Sequence, residues 1–422
     1  MREMKDSGIE WIGEIPINWQ AVNPRWLFAQ RKDRAKKGME QYTASQKYGV
    51  ISQKDYMNRI GGSIVTVQKD FDILKMVCKG DFVIHMRSFQ GGLEYSEHTG
   101  SISSAYVMLI PQKNAGECRY FKWLFKSASY INALQSTSNL IRDGQAMRYS
   151  NFIQIIIPYP PLVEQQQIAD YLDTKCSEID ATAEDIQKEI ALLEEYKKSL
   201  VYNVISNGIN HSIYSTENDE VWGNLPQGWK LVDIKYLFEI VKRIAGKEGY
   251  DVLSVTQKGL KITSGDGQLA DNYCGYQFVY PTDYVMNHMD LLTGWVDCSE
   301  LFGVTSPDYR VFRLIDRSAH NLVYYKYVMQ CCYMNKIFYS LGQGVSNLGR
   351  WRLQTSSFNN FQVPVPPKDE QDEIADYLDT KCSEIDTLIA DKKRQLDILA
   401  DYKKSLIYEY VTGKKEVPVK DF

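Results

Sequence analysis

Residues 168–180 read IADYLDTKCSEID, and residues 374–386 read the same 13 letters again, 206 positions later. Self-similarity at a fixed period indicates a repeated architecture, and this period is far longer than the units of about 20 to 50 residues that build solenoids. The sequence therefore predicts two copies of one large unit, each ending in a segment that carries the quoted letters.

The repeat extends in both directions from the quoted letters. PYPP at 158–161 corresponds to PVPP at 364–367, and EYKKSL at 195–200 corresponds to DYKKSL at 401–406. Each copy thus passes from a proline-rich stretch into a long segment that keeps its similarity for about 40 residues.

The starts of the two copies are also similar, whereas the regions between are not. WIGEIPINW at 11–19 corresponds to VWGNLPQGW at 221–229, and Ser-Gln-Lys at 52–54 more weakly resembles Thr-Gln-Lys at 256–258. The two copies share their starting segments and their long segments but differ in the regions between. We therefore expect the two copies to perform two tasks of the same kind on different targets.

Length and composition favour a globular protein of the cytoplasm. The 422 residues are 44% apolar, which suits two or three packed domains. A charged leader with an apolar core and a run of 18 apolar residues are both absent from the sequence, so we expect neither secretion nor a membrane span. Cys176 and Cys382 occupy equivalent places on the apolar face of a predicted helix, which favours buried thiols over ligands or disulfides.

The net charge of -4 is unevenly distributed. Residues 1–163 hold 21 Lys and Arg against 14 Asp and Glu, whereas residues 164–206 hold 4 against 10. Residues 207–369 are nearly neutral, with 15 against 16, and residues 370–412 are acidic again, with 6 against 11. The basic first region suits a polyanionic partner, although a solvated charged surface explains the same excess.

Between the entries and the long segments, the pattern is a mixture of strands and helices. β-Branched and aromatic content predicts strands, and apolar spacing predicts helices. The predicted strands are 79–86, 104–111, 251–256, 276–281 and 309–315, and the predicted helices are 26–37, 120–134 and 322–339.

From Leu162 onward the apolar period becomes helical. A heptad-like seam, typical of a coiled-coil partner, follows steps of four and three. It consists of Leu172, Cys176, Ile179, Ala183, Ile186, Ile190, Leu193, Tyr196, Leu200 and Val204, and in the second copy of Leu378, Cys382, Ile385, Ile389, Leu396, Leu399, Tyr402 and Leu406. Each helix is about 60 Å long at a rise of ~1.5 Å per residue. Mutual pairing is favoured over packing of each helix onto a nearby domain.

Catalytic motifs were sought in the sequence without success. It contains no G-x-x-x-x-G-K-[ST] phosphate loop, no G-x-S-x-G nucleophile elbow and no Asn/Asp-Pro-Pro-aromatic tetrapeptide, and its five histidines lack metal-ligand spacing. The sequence therefore favours a non-catalytic role.

Five segments carry a resemblance to a known family: PYPPLVEQQQIADYLDTKCSEID, PVPPKDEQDEIADYLDTKCSEID, IPINW, LPQGW and the strand-like KGDFVI. On these segments the chain resembles the specificity subunit of type I restriction-modification enzymes. The resemblance covers essentially the whole chain. It implies an α+β fold in which two duplicated target-recognition domains are separated by two long antiparallel coiled-coil helices with pseudo-two-fold symmetry.

The resemblance also implies a function and partners. Each recognition domain of that family reads half of a bipartite site in double-stranded DNA, and the helices act as a spacer. Two modification (methyltransferase) subunits bind this scaffold, and restriction/translocase subunits join the core. No cofactor is expected on this chain, whereas S-adenosylmethionine, ATP and Mg are expected on the partner subunits.

Domain limits follow from the repeat and from the change of period. We expect target-recognition domain 1 at 1–161, spacer helix 1 at 162–208, target-recognition domain 2 at 209–367, spacer helix 2 at 368–412 and a tail at 413–422.

Two sets of residues are predicted to contact partners. Arg and Lys read guanine and Asn and Gln read adenine from loops at groove edges, while phosphate contacts set affinity. The DNA candidates are Lys54, Arg87, Ser88, Gln90, Arg142, Gln145, Arg148, Lys258, Asn287, His288, Ser346, Asn347, Arg350 and Arg352. The candidates for binding modification subunits are the acidic positions Asp170, Asp173, Glu178, Asp180, Asp376, Asp379, Glu384 and Asp386, which a solvated helix face explains equally well.

Two alternative functions stay open at this point. One is a coiled-coil scaffold with two protein-binding domains and no DNA contact, which the near-neutral second domain allows. The other is a DNA-modifying enzyme whose motifs are unrecognised.

Overall fold

A computed structural model describes residues 2–61, 73–85, 88–137, 147–210, 214–263, 274–344 and 351–418. The chain forms two compact units, one of residues 1–186 with 394–422 and the other of residues 187–393. Each unit therefore contains one globular body, the first part of one long helix and the last part of the other.

The first unit is built from short strands and helices ahead of its long helix. Its strands are β1 (Met4–Ile9), β2 (Gly13–Pro16), β3 (Gln20–Val22), β4 (Phe28–Gln30), β5 (Tyr42–Ser45), β6 (Gly49–Ser52), β7 (Lys75–Val77), β8 (Phe82–Ile84), β9 (Glu94–Tyr95), β10 (Gly100–Ile102), β11 (Val107–Pro111) and β12 (Ile157–Tyr159). Its short helices are α1 (Gln53–Ile60), α2 (Ser88–Gly91), α3 (Cys118–Leu124), α4 (Ala128–Ser136) and α5 (Tyr149–Phe152), with a 3₁₀ turn at Pro24–Trp26.

The second unit follows the same plan after the long helix α6 (Leu162–Asn207). Its strands are β13 (Tyr214–Asp219), β14 (Gly223–Pro226), β15 (Lys230–Asp233), β16 (Phe238–Val241), β17 (Leu253–Thr256), β18 (Gly259–Ile262), β19 (Gln277–Val279), β20 (Tyr284–Met286), β21 (Val296–Cys298), β22 (Gly303–Thr305), β23 (Arg310–Leu314) and β24 (Gln362–Val365). Its helices are α7 (Ile234–Leu237), α8 (Leu322–Met334), α9 (Ile337–Ser340), α10 (Thr355–Asn360) and the second long helix α11 (Lys368–Val411).

The two bodies share one sheet topology. Antiparallel strands lie in the order β4-β11-β8-β9 in the first body and β16-β23-β20-β21 in the second. Leu109 faces Phe82 in the first sheet, and Phe312 faces Tyr284 at the equivalent place in the second. The two bodies have largely different amino-acid sequences. They therefore resemble each other much more in fold than in sequence.

A buried phenylalanine organises each core. Phe28 makes edge contacts with Phe82, Phe121, Phe125 and Phe152 at ring-centroid distances of 5.2 to 5.7 Å. Such edge-to-face pairs add to the stabilisation that burial alone provides.

The equivalent residue in the second body has a similar setting. Phe238 lies 5.3 to 5.4 Å from Tyr284, Phe312 and Tyr325, again with steeply inclined rings. The same pocket is thus filled by different aromatic residues in the two bodies.

Each body also contains a buried aspartate paired with an arginine. Asp81 binds Arg31 and accepts the Cys78 N–H at 2.8 Å, and Asp283 binds Arg243. The Asp81 carboxylate raises the pKa of Arg31 above its usual value. A buried carboxylate that is paired and hydrogen-bonded fixes the turn that leads into the central strand.

Most predicted elements are confirmed, but one is wrong. The strands predicted at 79–86, 104–111, 251–256, 276–281 and 309–315 overlap β8, β11, β17, β19 and β23, respectively. The helix predicted at 26–37 is absent, because residues 28–30 form β4, which pairs with β11 at the edge of the sheet. Tertiary pairing here overrides the local helical spacing.

The long helices end as the sequence predicts. Each follows a Pro-Pro pair, which suits a helix start because proline has no N–H to leave unpaired. Each is followed by a glycine with positive φ, Gly208 at 71° and Gly413 at 73°. Left-handed glycine is the common stop signal of a helix.

The two helices run antiparallel, and each unit shows it. In the first unit Lys403 binds Asp180 at 2.6 Å, and Tyr171 contacts Tyr410 with ring centroids 4.6 Å apart. Residue numbers therefore rise along one helix as they fall along the other.

The second unit contains the equivalent ion pair and one further cross-helix pair. Lys197 binds Asp386 at 2.7 Å, and Lys392 binds Glu189 at 2.5 Å. Adding the repeat of 206 residues converts Asp180 into Asp386. The prediction of two similar α/β bodies with two long antiparallel helices is thus confirmed.

The predicted seam is largely confirmed. Most of its members are buried, including Leu172, Ile186, Ile190 and Leu378. Two positions are wrong, because Tyr196 is 57% exposed and Tyr402 is 53% exposed. Cys176 and Cys382 are buried, as predicted, and burial raises the pKa of Cys176 to about 11.

One buried glutamine anchors each long helix to its own body. The Gln165 side chain accepts the Glu117 N–H at 2.9 Å and donates to the Pro160 carbonyl at 2.8 Å. Glu117 is the residue that caps the N-terminus of α3, so this amide joins the start of α6 to a helix of the body.

The second copy repeats this arrangement. Gln371 accepts the Asn321 N–H at 2.9 Å and donates to the Pro366 carbonyl at 2.9 Å. Beside the glutamines, the Trp19 indole donates to Glu164 at 2.8 Å and the Trp229 indole donates to Glu370 at 2.9 Å. The repeated Glu-Gln dipeptide is therefore an anchoring device.

We predict that Gln165→Leu lowers the free energy of unfolding by about 1–3 kcal/mol, because leucine leaves a buried N–H and a buried carbonyl without partners. Denaturant unfolding followed by circular dichroism measures this loss. The neighbouring exposed Gln166→Leu is the matched control, and a change of less than about 0.5 kcal/mol is expected there. Equal effects of the two substitutions would contradict the anchoring role.

Candidate DNA and partner interfaces

The predicted DNA residues of the first body are not joined by contacts in the described part of the chain. Lys54 is exposed in the first turn of α1, and Arg148 is exposed at the N-terminal cap of α5. Ser88 is fully buried, and its hydroxyl accepts the His85 N–H at 2.8 Å, so it supports the loop rather than facing solvent. Arg87, Arg142 and Gln145 lie outside the described residues, as does the side chain of Gln90.

Three of the predicted DNA residues of the second body lie together. Asn287 and His288 follow β20 directly, and the His288 carbonyl accepts the Leu353 N–H at 3.0 Å, which brings Arg352 beside them. Ser346, Asn347 and Arg350 lie outside the described residues.

The buried histidine of this group is neutral at physiological pH. His288 is 8% exposed, and burial, together with the charges of Arg310 and Arg352, lowers its pKa to about 4. A neutral imidazole offers one donor and one acceptor rather than a charge. His288 therefore positions the loop or forms a neutral hydrogen bond, and Arg352 supplies the exposed cation.

Arg310 completes this group and was missed by the sequence reasoning. It is 4% exposed, donates to the Leu353 carbonyl at 3.1 Å and lies over the Phe358 ring at 4.5 Å. A charged residue inside an apolar strand pattern, as in YRVFRLI, was the signal that could have found it. Among the described residues no carboxylate pairs with it, so burial lowers its pKa to about 10.

The weak match of Ser-Gln-Lys with Thr-Gln-Lys does not mark equivalent sites. Lys258 lies in the turn between β17 and β18, whereas Lys54 follows the second strand of the β5–β6 hairpin. Lys258 lines a groove of about 1110 Å³ in the second unit, together with Lys326, Lys336 and Trp295. The same groove is also lined by Glu194, Asp297, Asp379 and Asp386, and Lys326 pairs with Asp379, so its charge is mixed.

Several of the predicted partner-binding carboxylates also hold the helices to the bodies. Asp173 accepts the Trp123 indole N–H at 2.9 Å, and Asp379 accepts the Tyr327 hydroxyl at 2.7 Å at the equivalent place. Asp170 pairs with Arg119 at 2.7 Å. Anchoring therefore accounts for part of the repeated acidic pattern.

The remaining carboxylates lie on the helices themselves. Asp180 and Asp386 form the cross-helix pairs described above, and Glu178 and Glu384 pair with lysines three residues earlier on their own helices. Asp376 is exposed. All of them remain predictions as partner contacts.

The long helices also present apolar side chains that the charge pattern does not reveal. Leu192 and Tyr196 are 70% and 57% exposed, and at equivalent positions of the second copy Ile398 and Tyr402 are 61% and 53% exposed. Exposed apolar residues at a spacing of four lie on one face of a helix. Such a face is typical of an interaction surface.

The described part of the chain shows neither a cluster of metal ligands nor a helix fit to cross a membrane. Within the described ranges, no three His, Cys, Asp or Glu side chains lie close enough together to hold a metal ion. None of the helices in the same ranges combines the length and the apolar character that a membrane crossing needs.

Two archaeal proteins are similar to this chain over almost their whole length. It is 22% identical over 433 residues to the putative type I restriction enzyme MjaX specificity subunit of Methanocaldococcus jannaschii, covering 96% of each chain. It is 25% identical over 430 residues to the type I restriction enzyme MjaVIII specificity subunit of the same organism, covering 96% of this chain and 94% of the relative.

Solved structures share the fold. A chain from a study of complex assembly and conformational transition of the type I R-M system matches with a TM-score of 0.70 at 13% identity, covering 95% of this chain and 99% of that chain. The HsdS subunit from Thermoanaerobacter tengcongensis matches with a TM-score of 0.50 at 13% identity, covering 95% and 98%.

A family match covers both halves of the repeat. The family described as type I restriction modification DNA specificity domain matches residues 16–192 and again residues 226–397. These ranges include most of both bodies and most of both long helices. The chain therefore belongs to the type I restriction-modification DNA specificity family and carries two copies of its domain.

Proposed function

We propose that this chain is the non-catalytic DNA specificity subunit of a type I restriction-modification system, in which each body reads one half of a bipartite site. The observation that carries the proposal is one sheet topology built twice with different surface residues, in a chain of this family. Two readers of one design but different surfaces suit two half-sites of different sequence.

The two long helices supply the spacer in this proposal. Each is a continuous element of more than 40 residues, and antiparallel pairs such as Asp180–Lys403 fix their register. A rod of fixed length sets the distance between two readers, so the half-sites lie a fixed number of base pairs apart.

Base reading in the second body is assigned to the group around Arg352. Arg352 is the exposed cation of that group, and a bidentate arginine is the commonest reader of guanine. The buried Arg310 supports it by binding the Leu353 carbonyl, the residue next to Arg352. Asn287 is the neighbouring candidate and Lys258, in the turn between β17 and β18, is a separate one; in the first body Lys54 and Arg148 are the exposed candidates.

The partners are assigned by the same logic. Two modification subunits dock on the long helices, because the exposed apolar pairs and the outer carboxylates occur at equivalent positions in both copies. Restriction/translocase subunits join this core. S-adenosylmethionine, ATP and Mg bind those partner subunits in the cytoplasm, and this chain determines which DNA sequence the complex recognises.

The direct test is expression of this chain with its cognate modification subunit in a methylation-free host, followed by sequencing of modified bases. One bipartite motif with a fixed gap is the expected result. An intact complex without new methylation would favour a protein-binding scaffold. Methyl transfer by this chain alone from labelled S-adenosylmethionine would make it an enzyme.

The spacer role predicts the result of lengthening both helices together. One heptad inserted between residues 186 and 187 and another between 393 and 394 adds about 10 Å to the rod, at ~1.5 Å per residue. We expect the gap in the methylated motif to grow by about three base pairs, at ~3.4 Å per base pair, with both half-sites unchanged. A heptad inserted after Lys414 in the tail is the control, and an unchanged gap in the double insertion would contradict the spacer role.

The base-reading role predicts a selective effect of Arg352→Ala. We expect binding to the cognate site to weaken by about 1–3 kcal/mol and discrimination to relax at one position of one half-site. Binding assays on DNA with single base changes in each half measure both effects. Arg313→Ala is the control, because Arg313 is an exposed arginine of the same body that pairs with Glu239. Equal weakening on all sequences, with a shallower salt dependence, would make Arg352 a phosphate contact instead.

The docking role predicts that charge reversal prevents assembly. Glu178→Lys combined with Glu384→Lys places positive charge on the outer face of both helices, and we expect loss of copurification of the modification subunit. The fold is expected to persist, since both glutamates are more than half exposed and pair only within their own helix. Glu10→Lys with Glu300→Lys, on the bodies, is the control. Undiminished copurification would exclude these positions from the interface.

A further inference from the structure

The two bodies present one unassigned surface feature at equivalent positions. Residues 25–28 read RWLF and residues 235–238 read KYLF, 210 positions later, which is the same offset that relates Trp19 to Trp229. Both quartets consist of a cation, a large aromatic residue, a leucine and a phenylalanine.

The quartets divide into an inner and an outer pair. The leucine and the phenylalanine are buried in each body, with at most 4% exposure. The aromatic residues before them point outward, with Trp26 59% exposed and Tyr236 68% exposed. The core explains the inner pair, but it does not explain why two large aromatic side chains face solvent.

Both outer pairs are held in a defined geometry. The Arg25 guanidinium lies over the Trp26 ring at 4.5 Å, and the Lys235 ammonium lies over the Tyr236 ring at 5.0 Å. A cation over a ring is an attractive contact that limits the motion of both side chains.

Each pair is tied to its own body, although by different contacts. Asn23 accepts the Arg25 N–H at 3.0 Å and donates to the Ile153 carbonyl at 3.0 Å. In the second body the Lys235 ammonium pairs with Asp233 at 2.7 Å and donates to Asn360 at 3.0 Å. In both copies the residue before the exposed aromatic ring is therefore held in place by hydrogen bonds.

Recurrence distinguishes this pair from other exposed apolar side chains. Ile17 is 52% exposed, but its counterpart in the second copy is Gln227. Ile262 is 50% exposed, and its counterpart by strand pairing, Ser52, is a buried helix cap. A surface feature that both bodies keep, although their surfaces otherwise differ, suits a ligand that both bodies meet in the same way.

We propose that Arg25-Trp26 and Lys235-Tyr236 are two equivalent docking points for the modification subunit, one copy on each body. This inference rests on the proposed function and adds to its helix contacts a contact on each body. Arginine, tryptophan and tyrosine are the residues most enriched among those that dominate protein interfaces. The partner surface that fits them is an apolar recess with an acidic rim.

DNA fits these pairs less well. The half-sites differ in sequence, so a base-reading contact has no reason to recur. The phosphate backbone is common to both, but phosphate contacts come mainly from Arg, Lys and hydroxyl side chains, which leaves the exposed indole of Trp26 unexplained. A protein that binds in two copies meets both bodies in the same way and can contact both exposed aromatic rings.

The test measures assembly in the absence of DNA. Full-length chains with Trp26→Ala, Tyr236→Ala or both are titrated with the modification subunit, and native mass spectrometry counts the subunits bound. Each single substitution is expected to weaken one of two binding events by at least about 10-fold, giving complexes with one modification subunit, and the double substitution weakens both. Trp26→Phe is expected to recover most of the loss.

Controls and contrary outcomes are defined by the same assay. Ile17→Ala and Ile262→Ala remove similar exposed apolar side chains without a counterpart, and wild-type assembly is expected. Normal assembly by the double variant overturns the inference, as does normal assembly with weaker binding to DNA of any sequence. A wild-type chain that binds no modification subunit overturns both proposals, whereas assembly without methylation counts only against the proposed function.

Discussion

The structure depends on two buried amide side chains, Gln165 and Gln371, which fasten the start of each long helix to the body before it. Each amide satisfies the N–H of the residue that caps a helix in the body and donates to the carbonyl beside the helix start. Leaving such a buried group unpaired costs more than an average hydrogen bond provides, so the contact tolerates few alternatives. The position of each body on its long helix depends on this contact. The requirement explains why the Glu-Gln dipeptide is unchanged in both copies.

The sequence predicted the long elements well because their signals are periodic and long. The presence of the two long helices and most of the apolar seam follow from the helical spacing, and the Pro-Pro pairs and the glycines mark where the helices begin and end. Tyr196 and Tyr402 fit the same spacing yet are exposed, although the partner helix still runs beside them, as the neighbouring pairs Lys197–Asp386 and Lys403–Asp180 show. Spacing alone does not say which positions at the edge of the seam stay covered. The short helix predicted at 26–37 failed for a different reason, because residues 28–30 pair with a strand about 80 residues away, which local spacing cannot detect.

The similarity of the two bodies was predicted from the repeated starts and long helices and not from the cores, because equivalent core positions hold different residues. Phe82 and Leu109 of one sheet are replaced by the larger Tyr284 and Phe312 in the other, and the topology is kept. Cores accept such exchanges when the total volume and the pattern are kept. The grouping of the candidate DNA residues in space could likewise not be predicted from the sequence. The sequence placed Asn287, His288 and Arg352 in one list, but only the fold brought them beside Arg310, and it separated Lys54 from Lys258, whose flanking letters are similar.

Recurrence between the two copies separates the roles of surface residues better than charge does. The acidic positions recur, but Asp173 and Asp379 recur because each holds its helix to an aromatic residue of its own body. A contact within the fold is enough to explain why such a residue recurs. Recurrence of a residue that is paired internally is therefore weak support for docking. Recurrence of an exposed apolar residue is stronger, because no contact within the fold requires it. By this criterion we propose Tyr196, Tyr402, Trp26 and Tyr236 as docking positions. Surfaces without a counterpart, such as the one around Arg352, are then the proposed places where the two half-sites are distinguished.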